Sequence, residues 1–461
     1  MTKTSAWRPT SPPPPAGPAP LCDFPEVRRF TLSCGLPVRY VYRPALPLTV
    51  VRLVADAGST AEPVERPGLG SLTAAMLDQG TSRSSALEIS DRIDFLGASL
   101  DADADRDAGS LTLTSLTRNL VPALELFAEV ATDATFPDQE WARVQKQELA
   151  SLTAAADQPD TVAGWTFSEL LYGADHPYGH PSGGTRASVG ATSAGDLRGF
   201  FRARYRPGRT ELMVVGSAAQ DELTAALEQG FGGWGEAERE PAPPPPPPAT
   251  PEATRIFLLD RPGAPQSEVR AGHLSVPRAH ADWLPLLLLN YALGGQFSSR
   301  INLNLREDKG YTYGAATGFE PRVLAGPFKA AAAVQTEVTA DAVRELIREL
   351  EEVQESQPVS EEELAFAQLG IRRREPLQLE TNAQIAGRIE GLIVYGLPDD
   401  YYHNFGERIG EVQLDEVRRV AREQLRPDRL TVVVVGDRAA VEAGLRALPY
   451  PVEVARPAWS K

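Results

Sequence analysis

The chain repeats itself. Arg206-Pro207-Gly208-Arg209 runs into Met213-Val214-Val215-Gly216, and 220 positions later Arg426-Pro427-Asp428-Arg429 runs into Val433-Val434-Val435-Gly436. The preceding pairs, Asp196-Leu197 and Glu416-Val417, keep the same offset of 220. Near the front of each half, Arg43-Pro44 with Arg52 matches Arg261-Pro262 with Arg270 at an offset of 218. An offset this constant, held through strand-like and helix-like stretches, marks an internal duplication. The chain is therefore expected to fold as two copies of one unit.

Proline punctuates the copies. A polar, proline-rich stretch fills the N-terminus, and Pro243 to Pro248 stand unbroken within residues 236–253. Such a run forms a stiff extended spacer of about 3 Å per residue. These breaks predict a disordered leader over 1–21, one domain over 22–235, a linker over 236–253 and a second domain over 254–461.

Each half shows the same coarse order. An alternating apolar strand comes first (Thr49 to Ala55; Glu268 to Leu274), then an apolar helix (Leu69 to Met76; Leu286 to Leu293) with Pro67 or Pro285 near its start. Alternating strands follow over Ser99 to Thr114 in one half, and over Tyr311 to Phe319 and Phe328 to Val334 in the other. Long amphipathic helices and a valine-rich strand close each half. The pattern predicts an α+β fold, each half an antiparallel-rich sheet covered by helices on one face.

Net charge is −16 at neutral pH, which argues against nucleic acid and anionic membranes as partners, since phosphate binding needs clustered Lys and Arg. No run of eighteen apolar residues occurs and the N-terminal stretch lacks the apolar core of a secretory signal, so neither a membrane span nor export is expected. The only cysteines, Cys22 and Cys34, cannot build a disulfide framework, and a reducing cytoplasm is the expected compartment.

Several short segments, taken in order, carry a resemblance. They are Ala57-Gly58-Ser59 with Glu62, Pro67-Gly68-Leu69 through Met76-Leu77 and Gly80-Thr81, Gly97-Ala98 with Arg106-Asp107, His176-Pro177-Tyr178-Gly179, Gly184-Thr185, and the Val-Val-Gly strand. Together they resemble the pitrilysin/insulinase family of zinc peptidases in its two-domain form, over nearly the whole chain from about Phe30. The resemblance implies two homologous domains of the processing-peptidase/LuxS-metallohydrolase type.

In active members the helix after Gly-Leu carries His-x-x-Glu-His, two imidazoles four residues apart on one face with a glutamate that activates water. Here Ser71 and Ala75 stand at the histidine positions and Ala74 at the glutamate position. The third family ligand, a glutamate about eighty residues on, falls at Ser151, with Glu148 one turn earlier. No metal is therefore expected on this chain. A second family feature is an arginine and a tyrosine seven positions apart, which bind the substrate carbonyl from the domain facing the zinc. Arg306 and Tyr313 fit it, and a fixed cation with a phenol donor suits a developing oxyanion. Local features alone favour another reading, a helix C-cap at Arg306 and a sheet-packed Tyr313. Gly294 and Gly295 occupy the place of a substrate-admitting glycine loop. A helix N-cap by Ser298 or Ser299 explains that stretch equally well.

Three other patterns have plainer explanations. His176 and His180 flank Pro177 and Gly179 and belong to a loop. Asp101, Asp103, Asp105 and Asp107 alternate like a calcium loop but lack its glycine and final glutamate. Glu345, Glu349, Glu351, Glu352 and Glu355 suggest a solvent-facing helix.

The resemblance implies a noncatalytic subunit, inactive alone, in a heterodimeric zinc endopeptidase. The partner would bring zinc, and this chain would bring Arg306 and Tyr313 to an unfolded peptide substrate. The alternative is a structural or peptide-binding homologue without proteolysis, as in the core subunits of respiratory complexes.

Overall fold

A computed structural model describes residues 22–235 and 251–456, with positions 17, 245, 248 and 459. The leader expected over 1–21 and the polyproline part of the spacer fall almost wholly outside these residues.

Two six-stranded sheets share one plan. The first contains β1 (Arg28–Thr31), β2 (Pro37–Tyr42), β3 (Leu48–Ala55), β4 (Ser99–Ala104), β5 (Gly109–Leu116) and β6 (Thr210–Gly216), in the order β1-β2-β6-β3-β5-β4. The second contains β7 (Arg255–Asp260), β8 (Gln266–Leu274), β9 (Thr312–Phe319), β10 (Pro327–Gln335), β11 (Thr431–Gly436) and β12 (Val452–Val454), in the order β12-β7-β11-β8-β10-β9. The valine-rich strand that ends each repeat does not sit at an edge. It enters the middle of its sheet, parallel to the first long strand and antiparallel to the second. A central strand is buried on both faces, which is why Thr431–Gly436 is a nearly unbroken valine run with every residue buried. The copies differ at one edge: β1 pairs antiparallel with β2, whereas β12 pairs parallel with β7.

Helices cover both faces of the sheets, and the second face is covered by exchange. On β3, Val51, Leu53 and Ala55 face helices of their own half, while Val50 and Val54 join the core of the other. The helix Asn382–Val394 of the second half packs on β3 and β6, and the helix Pro159–Tyr172 of the first half packs on β8 and β11. Val162, Phe167 and Leu171 thereby form a core with Leu259, Val433 and Val435. The one-face covering expected from the pattern is thus corrected, because each half lends a helix to its neighbour.

Polar contacts reinforce the exchange. Arg52 on β3 pairs with Glu390, Arg39 donates to Asp399 at 2.6 Å, and Asn382 Nδ2 donates to the Leu48 carbonyl at 2.9 Å. The turn between β9 and β10 lies against the first half, where Tyr172 Oη donates to the Ala325 carbonyl at 2.8 Å. No helix among the described residues is long and apolar enough to cross a membrane.

Candidate functional site

The helix carrying the expected zinc positions is short, Leu69–Ala74, with Ala75 at its C-cap. Its entry is tightly built. Gly68 has φ 94°, a left-handed conformation that favours glycine, and a Cβ there would lie 2.6 Å from Gly184 Cα. The Glu62 carboxylate accepts the N–H groups of Gly68 at 2.9 Å and Gly70 at 2.7 Å. Burial pushes its pKa up to about 7, opposed by these two hydrogen bonds and by Arg106. The segments Glu62, Gly68-Leu69-Gly70 and Gly183-Gly184 thus form one close junction.

The donor set on this helix does not fit zinc. Ser71 Oγ directs its proton to the carbonyls of Ser182 at 2.9 Å and Ala104 at 3.2 Å, tying the helix to β4 and the 181–184 loop. Ala74 is buried and Ala75 half-buried, and neither offers a donor atom. Ser151 is exposed on the helix Asp138–Ala155. Glu148, half-buried there, has its carboxyl pKa raised by burial. Tetrahedral zinc requires at least three nitrogen, sulfur or carboxylate donors. Among the described residues no group of three or more His, Cys, Asp and Glu is placed to hold a metal.

The histidine pair serves a turn. His176 Nδ1 accepts the N–H of Tyr178 at 3.0 Å, and its ring stacks on Tyr172. Arg106 donates to the carbonyls of Pro177 and His180, fixing the loop between them. Burial lowers both histidine pKa values to about 4. Of the alternating aspartates, Asp105 Oδ1 accepts the N–H groups of Asp107 and Ala108, an Asx turn. Asp107 is buried, accepts from Tyr178 Oη and from the Val323 N–H at the β9–β10 turn, and has its pKa pushed up to about 6 by burial. These residues join the two halves.

Arg306 and Tyr313 occupy two backbone irregularities. Arg306 lies on a π-helical turn, Leu303–Asp308, a conformation that recurs at functional positions. Its guanidinium carbon lies 4.3 Å from the ring centre of Phe297. Tyr313 sits on the edge strand β9 where the register slips. Thr312 faces Val334 and Ala315 faces Ala332, so Tyr313 and Gly314 stand opposite Ala333 alone. Such a bulge redirects a side chain, and Tyr313 is 91% exposed. Its phenol does not pack in the sheet.

The supporting frame was not readable from spacing. Asn302, buried, donates from Nδ2 to the Phe297 carbonyl at 2.6 Å and accepts the Ala315 N–H at 3.0 Å. Asn304 Nδ2 donates to Glu345 at 3.0 Å and Glu349 at 2.7 Å, and Lys309 pairs with Glu345 at 3.5 Å. Glu345 is therefore buried under the Arg306 turn, which corrects the expectation of a solvent-facing glutamate. Gly294 and Gly295 are placed by close packing, because a Cβ at Gly294 would collide with Thr317 and one at Gly295 would lie 2.7 Å from Asn290 Nδ2. Ser299 takes the N-cap position, but its hydroxyl makes no capping hydrogen bond.

Two family models match the chain. The one described as insulinase, peptidase family M16, matches residues 40–170, and the one described as peptidase M16 inactive domain matches residues 192–370. A Mycobacterium tuberculosis protein named an uncharacterized zinc protease is 27% identical over 400 residues, covering 86% of this chain and 90% of its own. A Helicobacter pylori protein named a non-peptidase homolog is 22% identical over 410 residues, covering 87% and 92%. Among solved structures, a peptidase M16 inactive domain from Pseudomonas fluorescens superposes with a TM-score of 0.82 at 27% identity, covering 89% of this chain and 98% of that one. A protease from Helicobacter pylori superposes with the same score at 19% identity, covering 89% and 99%.

Proposed function

The chain belongs to the insulinase (M16) family of peptidases, and from that premise we propose that it is the noncatalytic subunit of a heterodimeric zinc endopeptidase. One contrast carries this reading: the Ser71, Ala74, Ala75 and Ser151 positions offer no zinc donor set, while Arg306 and Tyr313 stand accessible on a braced π-turn and a bulged edge strand.

In this proposal a homologous partner brings the metal and the water-activating base. This chain binds no cofactor and does not cleave alone. The Arg306 guanidinium and the Tyr313 phenol donate hydrogen bonds to the peptide carbonyl oxygen as it gains negative charge. An unfolded peptide is the substrate, held as an added strand on a sheet edge of the partner. The proposed compartment is the cytoplasm, consistent with Cys22 and Cys34 as free thiols.

Co-expression with a zinc-bearing homologue from the same genome tests the pairing. A copurifying complex holding zinc and cleaving peptide, beside a chain that alone does neither, supports it. Peptide cleavage by the isolated chain would sink it.

The second reading, a structural or peptide-binding homologue, draws on the relative named a non-peptidase homolog. A stable homodimer in solution, with no zinc-bearing homologue encoded nearby, would favour it.

A further inference from the structure

Three adjacent parallel strands, β12, β7 and β11, direct their carboxyl ends toward an open cavity of about 390 Å³ between the two halves. Crevices at the carboxyl ends of parallel strands hold ligands in open α/β sheets, a geometry these three strands share locally, and the volume lies in the ~300–1,000 Å³ range of small-molecule sites. The floor is apolar and comes from both halves. Val162 and Trp165 belong to the helix lent by the first half, and Leu259 and Val435 end strands of the second. Trp459, near the chain's end, closes the floor by packing edge-to-face on Trp165 with ring centres 5.1 Å apart. Its indole Nε1 is buried and makes no hydrogen bond to a described residue.

The cavity is also lined by Arg186, Arg261, Arg438 and Arg456, of which all but Arg261 are exposed and so mark its mouth. Their charges are incompletely matched. Arg186 donates to the neutral hydroxyl of Thr153. Arg261 donates to the Asp157 carbonyl, with the Asp157 carboxylate 3.8 Å away. Arg438 shares Glu442 with Arg446, at 2.6 and 2.7 Å. Asp260 also lines the cavity and accepts the Arg438 N–H at 3.2 Å. Arg456 makes no hydrogen bond to another described residue. Among the described residues, four guanidiniums and one carboxylate, Asp260, line the cavity of a chain whose net charge is −16.

We propose that this cavity binds a small amphipathic anion, an apolar body lying against Trp165 and Trp459 with a carboxylate head among the mouth arginines. The site is independent of the Arg306–Tyr313 pair and of the heterodimer reading.

Calorimetric titration of the full chain with dodecanoate, dodecylammonium and dodecanol, each below its aggregation concentration, tests it. Dodecanoate is expected to bind one per chain, at least tenfold more tightly than dodecylammonium, and to perturb indole fluorescence in a way that Trp459→Phe reduces. The double variant Arg186→Glu, Arg456→Glu alters exposed side chains only. It should keep the parent melting temperature and lose at least tenfold in dodecanoate affinity while dodecanol binding holds. Absence of saturable dodecanoate binding, equal binding of the cationic analogue, or unchanged affinity in the folded double variant would each overturn the proposal.

Discussion

The Arg306 guanidinium is stacked on Phe297, 4.3 Å from its ring centre, and the Phe297 carbonyl is held by Asn302, which also binds Ala315 on the strand of Tyr313. One buried amide therefore couples the loop under the arginine to the strand bearing the tyrosine. A cation–π contact at an exposed site is worth about 0.5–1 kcal/mol. Phe297→Ala is expected to lower the kcat of the assembled peptidase by about two- to fivefold, with Phe297→Trp restoring it. Phe297 is 63% exposed, so the melting temperature should barely move. Paired kinetic and thermal measurements separate positioning from folding.

The Ser71 hydroxyl ties its helix to β4 and to the 181–184 loop. Ser71→Ala should cost about 1 kcal/mol in urea unfolding, the value of a typical intramolecular hydrogen bond. Because the helix offers no zinc donor set, a chelator is expected to leave the melting temperature of the isolated chain unchanged. A bound stabilising metal would make it fall on chelation.

Glu62 makes the first half sensitive to pH. Its pKa is raised from 4.5 to about 7, so the folded state binds a proton that the unfolded chain releases earlier. Its contribution is fully present below pH 4.5 and is lost as pH rises through 7. Asp107, raised from 3.8 to about 6, acts in the same direction. His176 and His180, lowered from 6.5 to about 4, act oppositely, with stability present above pH 6.5 and lost as pH falls toward 4. Glu62→Gln isolates one contributor. Unfolding curves from pH 4.5 to 7 should show the variant gaining on the parent as pH rises.

Gly68 has no room for a side chain. Its positive φ and the 2.6 Å approach of a Cβ to Gly184 Cα act together. Gly68→Ala is expected to destabilise the first half by roughly 1–3 kcal/mol, read as a lower urea midpoint. Gly183→Ala nearby, where a Cβ meets nothing within 4 Å, is the control and should be nearly neutral.

The duplication and the strand positions were legible because they rest on local period and residue identity. Val50 and Val51 face opposite cores, where the sequence pattern led us to expect only one. Alternation could not say which helix covers Val50, because the partner Asn382–Val394 lies more than 300 residues away and an apolar helix face carries no address. Arg306 and Tyr313 were singled out by their spacing within a family pattern. Phe297, Asn302 and Glu345 were not, since each acts through a contact that exists only after β9 and the π-turn come together.

In the proposed assembly this chain lends Arg306 and Tyr313 to a partner's zinc site. The most direct measurement is kcat/KM for peptide cleavage by the zinc-bearing complex, with the parent chain and with Arg306→Ala, Tyr313→Phe. Loss of oxyanion donors costs about 10²–10³ in rate. A fall of at least about a hundredfold is expected, with assembly and zinc content unchanged. A fully assembled, zinc-loaded double variant that cleaves at the parent rate would contradict it.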